Sequence, residues 1–190
     1  MHVIISNMKK IILIILAAVL VGGFFTYNNL VTLNEQIDGQ WAQVETQYQR
    51  RIDLIPNLVE SVKGVMNQEK AIFTALAEAR TRYSSAQNSN DKALAAGQIE
   101  TSLGRLLAII ENYPTLKSSD NVNTLMAQLE GTENRISVER KNYNELVQDF
   151  NARIKRVPTN LFASMLGFEK REYFESVPGS ENAPKVDLGQ

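Results

Sequence analysis

The sequence predicts an all-α protein in which an N-terminal transmembrane helix precedes an antiparallel up-down-up-down four-helix bundle, a short C-terminal helix and a flexible tail. Two observations carry this prediction. Residues 11–27 contain no charged side chain. From Asn28 onward, apolar residues recur every three or four positions, with no strand-like alternation. Long helices with short connections pack by default as an up-down-up-down bundle.

The uncharged segment Ile11 to Tyr27 is the predicted membrane anchor. As a helix it is roughly 26 Å long, which is marginal for a bilayer unless Lys9 and Lys10 extend to the interface. A cleaved signal peptide is the alternative, but no A-x-A cleavage pattern follows the apolar core. Positive charge precedes the segment, so the positive-inside rule predicts a cytoplasmic N-terminus and a C-terminal domain outside. Met8 is an alternative start.

Four amphipathic stripes follow the anchor. The first is expected to stop or kink at Pro56, whose ring removes a backbone donor. The second ends at the polar segment Ser84 to Asp91, and the third runs from about Asp91 to Tyr113. The longest helix is expected to start at Ser118 to Asp120 and to close at Pro158. The predicted divisions are a cytoplasmic N-terminus (1–10), the anchor (11–27), the bundle domain with a short apolar helix capped by Gly167 (28–174), and the tail (175–190).

Composition excludes most catalytic classes. The chain has no cysteine and one histidine, His2, so thiol chemistry, histidine-based catalysis and Cys or His metal sites have no residues to use. Twenty basic and 21 acidic residues argue against nucleic-acid binding. We therefore expect no catalytic residue, metal site or cofactor. Carboxylates leave a hydrolase as a weak third hypothesis, but helical spacing favours surface ion pairs, such as Glu133 with Arg140 or Glu139 with Arg135.

Three stretches together resemble the bacterial LemA family: QRRIDLIPNLVESVKG (49–64), ENYPTLKSSDN (111–121) and ENRISVERKNYNELVQDFNARIKRVP (133–158). The resemblance covers the chain from the anchor to Phe174. It implies a single-pass protein of the bacterial cytoplasmic membrane, with a helical bundle and no established enzymatic activity. Relatives are often encoded beside a membrane zinc metalloprotease of the HtpX type, and another relative takes part in magnetosome membrane biogenesis.

Two candidate interaction sites emerge. The first is a charged cluster around Pro56. We expect it to meet the loop from Tyr113 to Asp120 at the end of the bundle that lies far from the membrane. In one interpretation it docks a partner; in the other, Asp53 and Asn57 satisfy backbone groups freed by Pro56, with an arginine pairing Asp53. The second is an apolar segment near the membrane that caps the bundle, lies on lipid or receives a partner. The docking residues are Arg50, Arg51, Asp53, Asn57, Glu111, Asn112, Tyr113 and Lys117, and the apolar ones are Leu161, Phe162, Met165, Leu166 and Phe168.

The first functional hypothesis is therefore a non-enzymatic, membrane-anchored adaptor or scaffold. It contacts lipid through its anchor and presents the bundle to other envelope proteins; by resemblance, the favoured partner is an HtpX-type metalloprotease. The alternative is a self-assembling structural protein, a homo-oligomer whose amphipathic stripes pack laterally as in coiled coils and organise or shape the membrane.

Overall fold

The computed structural model describes residues 2–66 and 69–174. Every regular element within these ranges is a helix, which confirms the all-α class. The arrangement as a four-helix bundle stays a prediction, and the predicted tail lies outside the described residues. The helices are α1 (His2–Lys63), α2 (Lys70–Ser85), α3 (Ser89–Ile110), α4 (Pro114–Lys117), α5 (Asp120–Lys155) and α6 (Thr159–Met165).

Of the two alternatives at Pro56, the stop is wrong, because α1 continues through it to Lys63, and the kink stays a prediction. An internal proline costs a helix about 3 kcal/mol. The stripe on either side is fully buried, however: Ile52, Ile55 and Leu58 are all at most 3% exposed. Each such side chain contributes roughly 1.5–3 kcal/mol on burial. Packing on both sides of the proline therefore outweighs the local cost, and the chain turns at the Gly64–Glu69 connection instead.

Other predicted boundaries are close to the observed ones. The polar turn shrinks to residues 86–88, where the side chain of Asn88 caps α3 by accepting from the Asp91 amide at 2.8 Å. The third helix ends three residues before Tyr113 because Pro114 starts the separate short helix α4. The start of α5 at Asp120 agrees with the predicted cap region. The longest helix is α1, with 62 residues, and not α5, because α1 combines the anchor with the first predicted stripe and the beginning of the second.

The chain divides into two compact units. Among the described residues, the first, here the anchor unit, comprises 2–40 and 141–173; the second, the network unit, comprises 41–66, 69–140 and Phe174. In the anchor unit, the segment after α6 is hydrogen-bonded to Asn151 of α5. The Asn151 side chain donates to the Arg171 carbonyl and accepts from the Arg171 amide, both at 2.9 Å. Arg171 also pairs with Asp38 of α1.

The apolar N-terminal part of α1 is suited to a membrane. The stretch from Asn7 contains a window of transmembrane length and apolarity, and none of that window is buried. Helix α3 also contains a window of transmembrane length and apolarity. A third of that window is buried, however, and Ile99, Leu103 and Leu106 lie in the core of the network unit. The N-terminal helix therefore indicates membrane association, whereas α3 has the character of a core helix.

Candidate functional site

The network unit encloses a buried arginine. Arg51 is 2% exposed, and it lies in the stripe Tyr48, Arg51, Ile55 and Leu58, whose steps of three and four residues point to one helix face. Its Nε donates to the Thr132 hydroxyl at 3.2 Å. Its Nη2 donates to Glu133. A charge so deeply buried requires such partners, because an unpaired one would cost several kcal/mol.

Glu100 of α3 is the centre of the cluster. Its Oε1 accepts from the Tyr48 hydroxyl at 2.8 Å and from Arg140 Nη1 at 3.2 Å, and it lies 3.7 Å from Arg51 Nη1. The guanidinium of Arg140 also stacks over the Phe174 ring, 4.0 Å from its centroid. The Arg51–Glu100 network therefore links α1, α3 and α5, and its two arginines balance the carboxylates of Glu100 and Glu133.

The electrostatics of this network keep Tyr48 protonated. Burial raises the pKa of the Tyr48 hydroxyl well above its ordinary value, and the neighbouring Glu100 carboxylate raises it further. Tyr48 is therefore a hydrogen-bond donor and not a base. Both carboxylates of the network are engaged by arginines. The arrangement holds three helices together through their side chains.

Metal binding finds no support in the described part of the chain. Across residues 2–66 and 69–174, no group of three or more His, Cys, Asp or Glu side chains could hold an ion. Two residues of the expected row pair across helices: Glu133 with Arg51 and Arg140 with Glu100. Ion pairs within one helix are also present on α5, between Lys141 and Glu145 and between Arg153 and Asp149.

The eight predicted docking residues are divided between α1 and the connection that follows α3. Ser61 of α1 lies beside the start of α5, where its hydroxyl accepts from Asn121 Nδ2 at 3.3 Å. Arg51 precedes Ser61 by ten residues, or about 15 Å of helix, and it is buried. Asp53 accepts from Gln49 at 2.8 Å, and the partners of Arg51 are Glu133, Glu100 and Thr132. The exposed members on α1 are Arg50, Asp53 and Asn57.

The remaining four docking residues share the α3–α5 connection, residues 111–119. Leu116 is buried and anchors α4 on the unit. Glu111, Asn112 and Lys117 are exposed around it, and Tyr113 is half-buried. The connection is held by backbone bonds, including Lys117 N to Tyr113 O at 3.0 Å. It therefore presents an ordered polar surface, and the docking role of its residues stays a prediction.

The predicted apolar segment forms most of α6 in the anchor unit. Phe162 packs on Gly23: a Cβ at Gly23 would lie only 3.1 Å from Phe162 Cε1, so glycine permits this approach. Phe168 follows α6, and its ring lies 6.1 Å from Tyr27 and 6.3 Å from Phe150. The other members are exposed: Leu161 at 64%, Met165 at 85% and Leu166 at 45%. Two of the five residues therefore hold α6 to the unit, and three face outward.

A model described as the LemA family matches residues 40–188, which is more than half of the chain. The chain belongs to the LemA family. The resemblance expected from the sequence is thereby confirmed. The match includes all of the Arg51–Glu100 network, the α3–α5 connection and α6.

The chain is also similar to named relatives of the family. Magnetosome protein MamQ 2 of Paramagnetospirillum magneticum is 30% identical over 82% of this chain and 66% of its own length. Magnetosome protein MamQ of Magnetospirillum gryphiswaldense is 29% identical, with the same shares covered. Protein LemA of Metamycoplasma hominis is 23% identical over 90% of this chain and 81% of its own. The chain thus spans slightly less than two thirds of the MamQ proteins. None of these names denotes an enzyme.

Sequence reasoning missed Glu100, which has three partners in this LemA-family network, as many as Arg51. The signal was present: in α3 it falls among the buried Ala96, Ile99 and Leu103, where a carboxylate on an apolar face requires a partner. The sequence prediction places Arg51 in the docking surface. A step of three from Tyr48 places Arg51 on the inner face as well.

Proposed function

We propose that this LemA-family chain is a non-enzymatic, membrane-anchored adaptor that presents its helical domain to another envelope protein. The observation that carries the proposal is the self-contained pairing of the Arg51–Glu100 network. The interior charges satisfy one another and hold three helices in register, which suits a rigid presenting surface. An unburied apolar segment at the N-terminus supplies the attachment to the membrane.

The proposed docking surface is the α3–α5 connection. Its exposed polar residues surround a buried anchor, Leu116, so a partner meets a preformed surface and little order is lost on binding. A membrane zinc metalloprotease of the HtpX type is the proposed partner, following the family resemblance. The proposed orientation has the N-terminus in the cytoplasm, since Lys9 and Lys10 precede the apolar segment, and the helical domain on the outer face.

Charge reversal tests the docking surface. In intact cells, Lys117→Glu should abolish cross-linking to the metalloprotease. The matched control is Arg135→Glu, an exposed cation on α5 of the same unit, which should leave cross-linking unchanged. Equal loss in both variants, or no loss in either, contradicts docking at the connection. A reporter fused after Gln190 checks the orientation; activity only in the cytoplasm would overturn it.

A self-assembling structural protein is the second candidate. Two observations favour it: the similarity to proteins named as magnetosome proteins, and the exposed apolar side chains Leu94 and Val138, at 67% and 55% exposure. Lateral packing of several copies would cover such side chains and organise the membrane around the anchors. The full-length protein in mild detergent would then have a mass at a fixed multiple of 21.3 kDa, and Leu94→Glu would reduce that multiple.

A further inference from the structure

The exposed face of α6 lies at the level where the apolar segment of α1 ends. Phe162 rests on Gly23, and Phe168 lies against Tyr27. Both α1 positions belong to the last two turns of the uncharged segment Ile11 to Tyr27. If that segment crosses the bilayer, its end reaches the boundary between acyl chains and headgroups. These contacts then fix α6 at the same depth.

The outward side chains of α6 are apolar and lack a partner in the described chain. Met165 is 85% exposed and Leu161 is 64% exposed. The helix sequence, TNLFASM, contains no charge. Phe24 and Phe25 of α1 are similarly exposed, at 64% and 66%. Contiguous apolar surface of this kind marks a place that meets lipid or another protein.

The charges flanking α6 favour a lipid surface. Lys155 and Arg156 precede the helix and are exposed, and Lys170 and Glu169 follow it. Arg153 instead forms an ion pair with Asp149 at 3.0 Å and donates a hydrogen bond to Asn29 at 2.9 Å. The free flanking charges thus sum to about +2, and basic residues beside an apolar face are attracted to anionic headgroups.

We propose that α6 is an interfacial element that inserts Leu161, Met165 and Leu166 into the membrane surface beside the anchor, with Lys155 and Arg156 on anionic lipid headgroups. The chain is thereby held to the bilayer at two points, α1 and α6. Because Phe162 and Phe168 couple the two, the second contact restrains the rotation and tilt of α1 where it leaves the bilayer. The occupant is lipid because the face continues the surface of the anchor itself.

Fluorescence quenching tests this assignment, and the cysteine-free chain makes single labels simple to place. Met165→Cys carries an environment-sensitive label in the full-length protein, in vesicles of phosphatidylcholine and phosphatidylglycerol at low protein density. Leu161→Cys is the second reporter, in case the first variant folds poorly. Phe24→Cys is the lipid reference. Gln36→Cys is the water reference: it is exposed in the same unit, nine residues or about 14 Å beyond Tyr27.

The expected result is quenching at position 165 or 161 by lipids with a spin label high on the acyl chain, to an extent close to that at position 24. Position 36 should be quenched only by aqueous iodide. Quenching by iodide at positions 165 and 161 would show that this face of α6 is exposed to water, and it would overturn the proposal. Protection from both quenchers would show a protein cover, such as a second copy, and would also overturn it. Equal lipid quenching in pure phosphatidylcholine would overturn the headgroup role of Lys155 and Arg156.

Discussion

At the residue scale, the Arg51–Glu100 network accounts for the rigidity on which the adaptor proposal depends. Arg51 is the most buried charged side chain in the described residues. Buried ion pairs are often no more stabilising than a well-packed apolar group. Removal of one partner is costly, however, because it leaves the other charge buried without a partner. The network therefore acts mainly by specifying which helix faces meet. Substitution of single members measures this coupling.

Arg51→Met should destabilise the protein by about 2 kcal/mol, below the ~3–5 kcal/mol typical of a broken buried pair. The reason is that Glu133 is 53% exposed and stays hydrated, while Glu100 keeps Arg140 and Tyr48. Chemical unfolding of the full-length chain in mild detergent, followed by circular dichroism, checks this. Arg50→Met, at the adjacent exposed position, should change the unfolding free energy by less than about 0.5 kcal/mol. Equal effects of the two substitutions would contradict the network.

Tyr48→Phe should cost about 1 kcal/mol at neutral pH, through loss of the bond to Glu100. The cost should shrink in alkali. The pKa of Tyr48 is raised in the folded state, so above the ordinary pKa of about 10 the unfolded chain releases this proton and the folded chain does not. The stability due to neutral Tyr48 is complete below that pH and falls by about 1.4 kcal/mol per unit above it. Parallel pH profiles for the two proteins would refute the shift.

Sequence reasoning at this scale identified residue types better than partners. The absence of histidine and cysteine chemistry followed directly from composition. The partners of Arg51 could not be deduced, because Glu100 and Thr132 are 49 and 81 positions away in the chain. Only the packing of α1 against α3 and α5 brings them together. A charge within an apolar stripe predicts that some partner exists, and it does not identify which one.

At the element scale, α1 shows how tertiary packing overrides a local signal. Pro56 has an intrinsic preference to break a helix, yet the apolar stripe continues from Ile55 to Leu58 and Val62, all buried. Periodicity across a proline was therefore a better guide than the proline itself. The end of α1 at Lys63 is only weakly indicated in the sequence, by Gly64 directly after it. The α3–α5 connection was predicted more closely because Pro114 begins a new helix, where a missing amide proton costs nothing.

Pro56→Ala should stabilise the protein by about 1–2 kcal/mol. Alanine restores the helical hydrogen bond and removes the clash of the proline ring, together worth up to ~3 kcal/mol, less ~1 kcal/mol because the unfolded chain gains freedom. Unfolding in detergent measures the difference, with Asn57→Ala at the exposed neighbouring position as the control. A loss of stability in the Pro56 variant would show that the packing of α1 needs the local geometry that proline imposes.

Gly167 ends α6 as the sequence predicts. Its φ of 77° lies in the left-handed region, and Phe168 N bonds to the Ala163 carbonyl at 3.0 Å across it, as in a Schellman cap. Gly167→Ala should cost about 1 kcal/mol from backbone strain alone, because a Cβ there would meet nothing within 4 Å. Gly39→Ala, equally open but inside α1, should instead stabilise by about 0.5–1 kcal/mol. The same sign for both would contradict the cap.

At the scale of the whole molecule, the all-α class and the LemA family both followed from the sequence, for different reasons. Helical periodicity is strong when long stripes face a common core. Family membership rests on three motifs in one order, whose side chains the structure places in separate positions: Arg51 and Glu133 in the network, Glu111 and Lys117 on the connection. The sequence could not sort these motif residues into interior and surface, because adjacent helix positions differ by only about 100° in direction and a charged residue can lie on either face.

The central claim is that the anchored helical domain exists to hold a protein partner. Cross-linking in intact cells, purification of the tagged full-length chain in mild detergent, and measurement of the mass and composition of the product test it most directly. The adaptor proposal predicts a stoichiometric complex with a membrane metalloprotease. This complex should be lost in Lys117→Glu and retained in Arg135→Glu. Recovery of this chain alone, at a defined multiple of 21.3 kDa, would contradict the adaptor and establish self-assembly in its place.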